Sequence, residues 1–387
     1  MITYFSADWI FPVSSPPIKN GAVAINSNGE IIEVCTEIEF KKLNIIIDKY
    51  KGAIVPGFIN THCHLELSHL HGKIEEHTGL PLFIKSVLAH RQQTETEVTS
   101  AMQNADEEMY TNGIVAVGDI SNVAISKSIK LKSKLYYHTF VEVLGFNRLS
   151  APIIEAAIQV KKDFAPLKAS IVPHAPYSVS ADLFNEINQV IDDDDISSIH
   201  NQETKGENDL FENGKGTFAD FFAEIDIAQS DAHNKGRNSL HYHLPLLNKN
   251  INTLLVHNTF SGKADVDFAN GVHEKLFWCL CPNANLYIEN NLPDVNLLAT
   301  ENLKITLGTD SLASNHQLNI LAEMQVLQIQ KNIDFEELLK WATLNGAEFL
   351  KIEKLYGSIE KGKRPGLNLI QLSNDFKIKD IKVQKLC

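Results

Sequence analysis

Eight short apolar, β-rich runs recur between residues 53 and 310, with helix-period segments between most of them. The runs are 53–55 leading into 58–65, then 113–120, 135–144, 170–174, 197–200, 253–257, 276–281 and 305–310. Segments 82–91, 96–112 and 153–164 read as intervening helices. Strand alternating with helix implies an α/β fold with a parallel sheet, because parallel neighbours need a long crossover and a helix supplies it. Eight units match the number that closes a (β/α)8, TIM-like barrel. An open doubly wound sheet is the alternative. No Gly-x-Gly-x-x-Gly follows the first run, which weakens its dinucleotide-binding version. Beyond the eighth run, 319–329 and 335–351 read as amphipathic helices completing an outer ring.

The 387 residues leave room for such a barrel, about 250 residues, and a smaller unit. Segments 21–25 and 31–34 flank Asn26-Ser27-Asn28-Gly29-Glu30, a hairpin signal, and 368–372 and 381–383 also look like strands. A net charge of −13 argues against a nucleic-acid or anionic-membrane surface and is compatible with a small neutral or cationic substrate. Five scattered cysteines (Cys35, Cys63, Cys279, Cys281, Cys387) fit a reducing cytoplasm better than a disulfide framework. No apolar stretch approaches the roughly 20 residues of a membrane span, and no signal peptide is visible. A cytoplasmic protein, without nucleic-acid or membrane partners and with a homodimer open to it, is therefore expected.

The chemistry-bearing residues gather at one end of these runs. His62 and His64 end the first, His174 the fourth, His200 the fifth, His257 the sixth and Asp310 the eighth. Fifteen histidines scattered at random would not fall so often at the strand ends where barrel enzymes keep their catalytic groups. His62 and His64 lie two apart on a strand, so their imidazoles share a side and Cys63 takes the other. Two hydrogen-bonded core histidines are the bland alternative. With His200 and Asp310 the pair can make a four-donor metal site that leaves a position for water, suited to Zn²⁺ and also to Fe²⁺.

Glu203, three residues after His200, can take a proton from the nucleophilic water and hand it to a substrate; a first-turn glutamate stabilising a helix is the plainer role. His257 can orient that water, or be a satisfied core histidine. Asp310 can serve as both ligand and base, or as a helix N-cap. His174, between Pro173 and Pro176, suits substrate binding. The polar stretch 229–243 carries His233, His241 and His243 and reads as a solvated insertion, with a second metal cluster or a lid as the sharper options. The acidic run 192–195 reads as a solvated loop. Cys279-x-Cys281 has no second cysteine pair and reads as buried strand.

Taken in order, Val55-Pro56-Gly57-Phe58-Ile59-Asn60-Thr61-His62-Cys63-His64, Pro173-His174-Ala175-Pro176-Tyr177-Ser178, His200-x-x-Glu203, His257 and Gly308-Thr309-Asp310-Ser311-Leu312-Ala313-Ser314-Asn315 resemble the amidohydrolase superfamily, in its nucleoside-deaminating branch. The likeness runs from about Gly52 to Leu369. It implies one divalent metal, Zn²⁺ before Fe²⁺, on His62, His64, His200 and Asp310. It also implies Glu203 as proton shuttle, His257 as water-orienting residue and His174 as a substrate contact. No Lys ends the fourth run, so a bridging carbamylated lysine and second metal are not expected. The resemblance further implies a barrel over 53–355 and a small composite β-sandwich domain from 1–52 plus 356–387.

Finer features, His64-Leu65-Glu66-Leu67-Ser68, 83–91, 203–218 and Asn315-x-x-Leu318-Asn319, look like deaminases of 6-amino-6-deoxyfutalosine, a menaquinone precursor. Two segments depart from the pattern. Cys281-Pro282-Asn283-Ala284-Asn285 has Ala where relatives often carry Ser, and Lys363-Arg364-Pro365-Gly366 replaces a common Lys-Asp-Ala-Asp. The expected reaction is hydrolytic deamination of an aminopurine nucleoside. Alternatives are deamination of methylthioadenosine, adenosylhomocysteine or guanine, or hydrolysis of a cyclic amide or carbon–chlorine bond. A scaffold without chemistry is disfavoured by the intact donor set.

Overall fold

The computed structural model describes residues 2–42, 49–230 and 232–387. Eight parallel strands form two four-stranded sheets. The first comprises, after five strands described below, β6 (Phe58–Cys63), β7 (Ile114–Ser121), β8 (Tyr136–Val143) and β9 (Lys168–Pro173) in that order. The second comprises β10 (Ser197–Asn201), β11 (Thr253–His257), β12 (Leu276–Leu280) and β13 (Ile305–Leu307). Every residue of β6, β7, β10, β11 and β12 is buried. That is the pattern of parallel strands covered on both faces, and it explains why they read as continuous apolar runs.

Hydrogen bonds link the two sheets at both edges. The N–H of His200 donates to the carbonyl of His174 at 2.9 Å. At the other edge the N–H groups of Thr309 and Asp310 both reach the carbonyl of His62 at 3.1 Å, and Cys63 pairs with Asp310 in a parallel bridge. Gly308 makes this approach feasible, because a Cβ there would lie 2.8 Å from the Cβ of His62.

A third, seven-stranded sheet collects both ends of the described chain. It contains β1 (Ile2–Ile10), β2 (Ile18–Lys19), β3 (Ala22–Asn26), β4 (Ile31–Cys35), β5 (Lys49–Pro56), β14 (Leu367–Ile370) and β15 (Gln384–Lys385). The expected hairpin is present: β3 and β4 pair antiparallel, and the Asn26 carboxamide oxygen accepts from the N–H groups of Asn28 and Glu30 across the turn. The first apolar run is in fact two strands. β5 pairs with β1 and β14, the chain turns at Gly57, and β6 enters the parallel sheet. The expected division at 52/53 therefore lies inside β5. Residues 381–383 are not strand, since the pairing with β14 is made by Gln384 and Lys385.

The expected helices occur at Leu80–His90, Glu95–Thr111, Ser150–Asp163 and Ile320–Lys331. A capping box fixes the second of these, the Thr94 hydroxyl accepting from the Glu97 N–H and the Glu97 carboxylate from the Thr94 N–H. The expected helix 335–351 is two, Phe335–Ala342 and Leu344–Phe349, broken at Thr343, whose backbone (φ −137°, ψ −81°) is not helical. Among the described residues no helix is long and apolar enough to cross a membrane.

One buried ion pair braces the strand ends from behind. Lys130 Nζ lies 2.6 Å from Asp119 Oδ2 with both side chains fully buried, and Asp119 Oδ1 accepts from the N–H of Leu65, the residue after His64. Lys130→Met would strand a buried carboxylate, and a loss of about 3–5 kcal/mol of stability is expected from denaturant unfolding. A loss below about 1 kcal/mol would show that water reaches the pair.

Candidate active site

β6 alternates His62 and His64 with Cys63, so both imidazoles turn into the mouth of the strands while Cys63 packs into the hydrophobic core. Their Nε2 atoms are 3.1 Å apart. Asp310 Oδ1 lies 3.4 Å from Nε2 of His62 and 3.3 Å from Nε2 of His64. The His200 ring centroid is 4.9 Å from that of His62 and 5.5 Å from that of His64. His200 Nδ1 sits 2.8 Å from the His174 carbonyl and donates to it, which leaves its Nε2 as a lone pair. Three imidazoles and one carboxylate thus converge with too few protons to satisfy one another. That donor set fits a single borderline-soft divalent cation.

Burial sets the protonation states. It holds His64 down at about 3, helped by the charge of His62, and pushes His200 well below its ordinary value. Burial also opposes protonation of His62, but the Asp310 carboxylate overrides it and the imidazole ends above its ordinary range. For Asp310, burial works against ionisation and is outweighed by His62, His64 and His257, so the carboxyl falls well below the carboxylate range. The Ser314 hydroxyl donates to Asp310 Oδ2.

Glu203 and His257 flank this cluster. Glu203 Oε1 is 3.6 Å from His257 Nε2, and His257 Nδ1 donates to Asn285 Oδ1 at 2.8 Å. Burial pushes Glu203 well above the carboxylate range, with Asp310 and Glu207 adding to it, and brings His257 down to about 4. Gln202, His257 and Asp310 all have left-handed backbones (φ 46°, 74° and 57°). Side-chain-bearing residues pay about 1–3 kcal/mol each for such a conformation, and it persists where surrounding contacts impose it.

His174 stands at the rim, its Nδ1 2.6 Å from the Ser178 hydroxyl. Six of the seven expected site residues line one cavity of about 450 Å³, and the seventh, His62, reaches Asp310 in its lining at 3.4 Å. Leu80, Phe83, Ile84, Val87, Phe221 and Phe222 give the cavity an apolar wall. Polar residues line it as well. Asn122 donates from its backbone to Glu66 and from its carboxamide to Glu142, and accepts from Arg91.

The sequence profile of the amidohydrolase family matches residues 53–385. The chain belongs to that family. It is therefore a hydrolase acting on carbon–nitrogen bonds. The amidohydrolase is 28% identical to an adenosine deaminase of Helicobacter pylori over 336 residues, 84% of this chain and 80% of the relative. It is 26% identical to an aminodeoxyfutalosine deaminase of Nitratiruptor over 369 residues, 92% and 88% of the two chains. The crystal structure of Helicobacter pylori aminofutalosine deaminase with methylthio-coformycin superimposes with a TM-score of 0.81 at 25% identity, covering 96% of this chain and 93% of that one.

Two expectations about the amidohydrolase's loops are corrected. The stretch 229–243 is solvated only in part: Gln229 and residues 234–237 are exposed, but His233 is buried among Phe146, Phe211 and Phe222, and His243 Nε2 meets Asn201 Oδ1 at 2.9 Å. Three residues of the acidic run are exposed, but Asp195 is buried and held by Lys161 at 2.8 Å. Cys279 and Cys281 are buried as expected, at the end of β12. Sequence reasoning gave no role to Glu66, Arg91, Asn122, Glu142 or Glu207, though Glu66, Arg91 and Glu207 fall in segments that carry the finer resemblance. Glu142 lies one residue before the end of β8 and so close to the strand ends that single out the histidines.

Proposed function

We propose that this amidohydrolase is a mononuclear metal-dependent deaminase of an aminopurine nucleoside, with 6-amino-6-deoxyfutalosine as substrate and thus a place in menaquinone biosynthesis. The reading rests on one juxtaposition: a buried Glu203 carboxyl beside His257, at the edge of a cluster in which His62, His64 and His200, and again His62, His257 and Asp310, bring donor atoms within 4.8 Å of one another. The relatives named above support the nucleoside. The reading also takes the two parallel sheets as halves of one closed (β/α)8 barrel, and the seven-stranded sheet as a composite β domain from the two ends of the chain.

His62, His64, His200 and Asp310 would hold the cation, and Zn²⁺ suits neutral imidazoles with one carboxylate, ahead of Fe²⁺. When bound, it supplies a Lewis acid that makes water a competent nucleophile near pH 7. Glu203 carries the proton. Its buried carboxyl is protonated readily, so it can protonate the purine ring nitrogen next to the amino-bearing carbon and recover a proton from the water. His257 Nε2, with Nδ1 committed to Asn285, accepts a hydrogen bond and aims the attacking oxygen. His174, held by Ser178, contacts the substrate at the rim. The apolar wall excludes water from the ring.

The far end of the cavity selects among nucleosides. Arg91 and Arg148 line it, and among the described residues neither guanidinium is ion-paired. The net charge of −13 opposes anions at long range, but two arginines without ion-pair partners favour a substrate that carries a carboxylate at this end of the cavity. Ammonia release from metal-loaded enzyme should therefore be fastest with aminodeoxyfutalosine among that compound, methylthioadenosine, adenosylhomocysteine, adenosine and guanine. Arg91→Met and Arg148→Met should each lower kcat/KM for it about 10–100-fold more than for adenosine. Dominant turnover of guanine, or of none of the five, would overturn the substrate assignment.

A further inference from the structure

The backbone carrying Glu203 is held by a second glutamate whose contacts exceed those of a helix cap. Glu207 is fully buried in the first turn of the helix Lys205–Asn213. Its Oε1 accepts from the N–H of Gln202 at 2.9 Å and its Oε2 from the N–H of Glu203 at 3.3 Å. A capping-box glutamate reaches the N-cap residue, here Thr204. Glu207 reaches the two residues before it, so its carboxylate grips the loop and not the start of the helix.

That loop also ties the two flanking groups together. Gln202 takes a left-handed backbone (φ 46°) that a side-chain-bearing residue does not adopt unaided. Its carboxamide accepts from Ser261 Oγ at 2.6 Å and donates to Asn208, and its carbonyl accepts from the N–H of Phe260 at 3.0 Å. Ser261 and Phe260 belong to the turn that follows His257. Asn208 Nδ2 donates to the Phe260 carbonyl, closing the ring of contacts. The Glu203 loop and the His257 loop are therefore one hydrogen-bonded unit, and Glu207 anchors it with two bonds to backbone N–H groups.

We propose that Glu207 is a positioning residue: it holds the carboxyl of Glu203 at its place beside His257, and acts on the reaction only through Glu203. The proposal rests on Glu203 being the proton carrier. In Glu207→Gln one acceptor is kept, but the amide NH₂ faces a backbone N–H, two donors opposed. Glu207→Leu removes both acceptors. Misplacement of a reacting group by about 1 Å can cost roughly a hundredfold.

The test measures kcat, KM and bound metal in holoenzyme carrying Glu207→Gln, Glu207→Leu, Thr204→Ala or Glu203→Gln. Thr204→Ala removes the hydroxyl that accepts from the Gly206 N–H and so weakens only the cap of the same helix. The expected result is a graded fall in kcat, about tenfold for Gln and about a hundredfold for Leu. KM should stay within about threefold, the cation should stay bound, and Thr204→Ala should not reproduce the fall. Unchanged kcat in Glu207→Gln, a loss confined to KM, loss of the cation, or an equal loss in Thr204→Ala would each overturn it. Should Leu prevent folding, the isosteric Gln decides. An active Glu203→Gln enzyme would instead remove the proton-carrier reading, while an inactive one beside a fully active Glu207→Gln removes this proposal alone.

Discussion

Glu203→Gln should lower turnover by about 10³-fold, within the 10²–10⁴ range for loss of a general acid–base group, while the protein keeps its cation. Gln matches Glu in size, so packing around the side chain survives, but an amide cannot cycle a proton between water and a ring nitrogen. Glu203 stands 3.6 Å from His257 and supplies none of the four converging donors. Metal content by elemental analysis and ammonia release from the same preparation separate the two effects. A variant retaining more than about a tenth of the activity would mean that another group moves the proton. A variant that loses its metal would mean that Glu203 belongs to the donor set.

Removal of the cation should be as costly and should be reversible. Dialysis against a chelator is expected to abolish turnover, and added Zn²⁺ to restore it. Asp310→Asn gives the permanent version. Asp310 is the only carboxylate in the set, and its Oδ1 lies within 3.4 Å of both His62 and His64. Losing that charge should weaken metal affinity more than the 10–100-fold typical of a supporting residue. Thermal unfolding gives an independent readout. Cation at about 1,000 times its Kd stabilises the folded state by about 4 kcal/mol, so wild type should melt higher on metal addition and Asp310→Asn should respond much less. Equal responses would place the cation elsewhere.

The strands and the residues at their ends were legible because parallel strands buried on both faces must be apolar, so a polar residue closing such a run stands out. His62, His64, His174, His200, His257 and Asp310 all announced themselves in this way. Glu142 sits just inside the end of its run, followed by Val143 and Leu144, and a lone carboxylate carries no ligand spacing, so it went unremarked. Glu207 was invisible for another reason: a glutamate in a first helical turn looks like a cap, and only geometry shows which N–H groups it meets. The burial of His233 and His243 was equally hidden, since a stretch of polar composition gives no sign that phenylalanines from other elements close over the first and that Asn201 meets the second. The split of the first apolar run into β5 and β6 depends on which strands pair with each half, and pairing partners over 300 residues away leave no local trace.

The seam where the His62 carbonyl receives the N–H groups of Thr309 and Asp310 bears on how the molecule comes into being. Asn60 and Thr309, bonded side chain to side chain at this seam, stand 249 residues apart. Closing so long a loop is entropically expensive and slow. A nascent chain on the ribosome exposes His62 and His64 long before Asp310 exists, so during most of synthesis the histidine pair has no carboxylate to complete it. On the proposed donor set, metal capture would wait until the last parallel strand docks against the first, and a chain cut short before that point would carry the two imidazoles without their carboxylate.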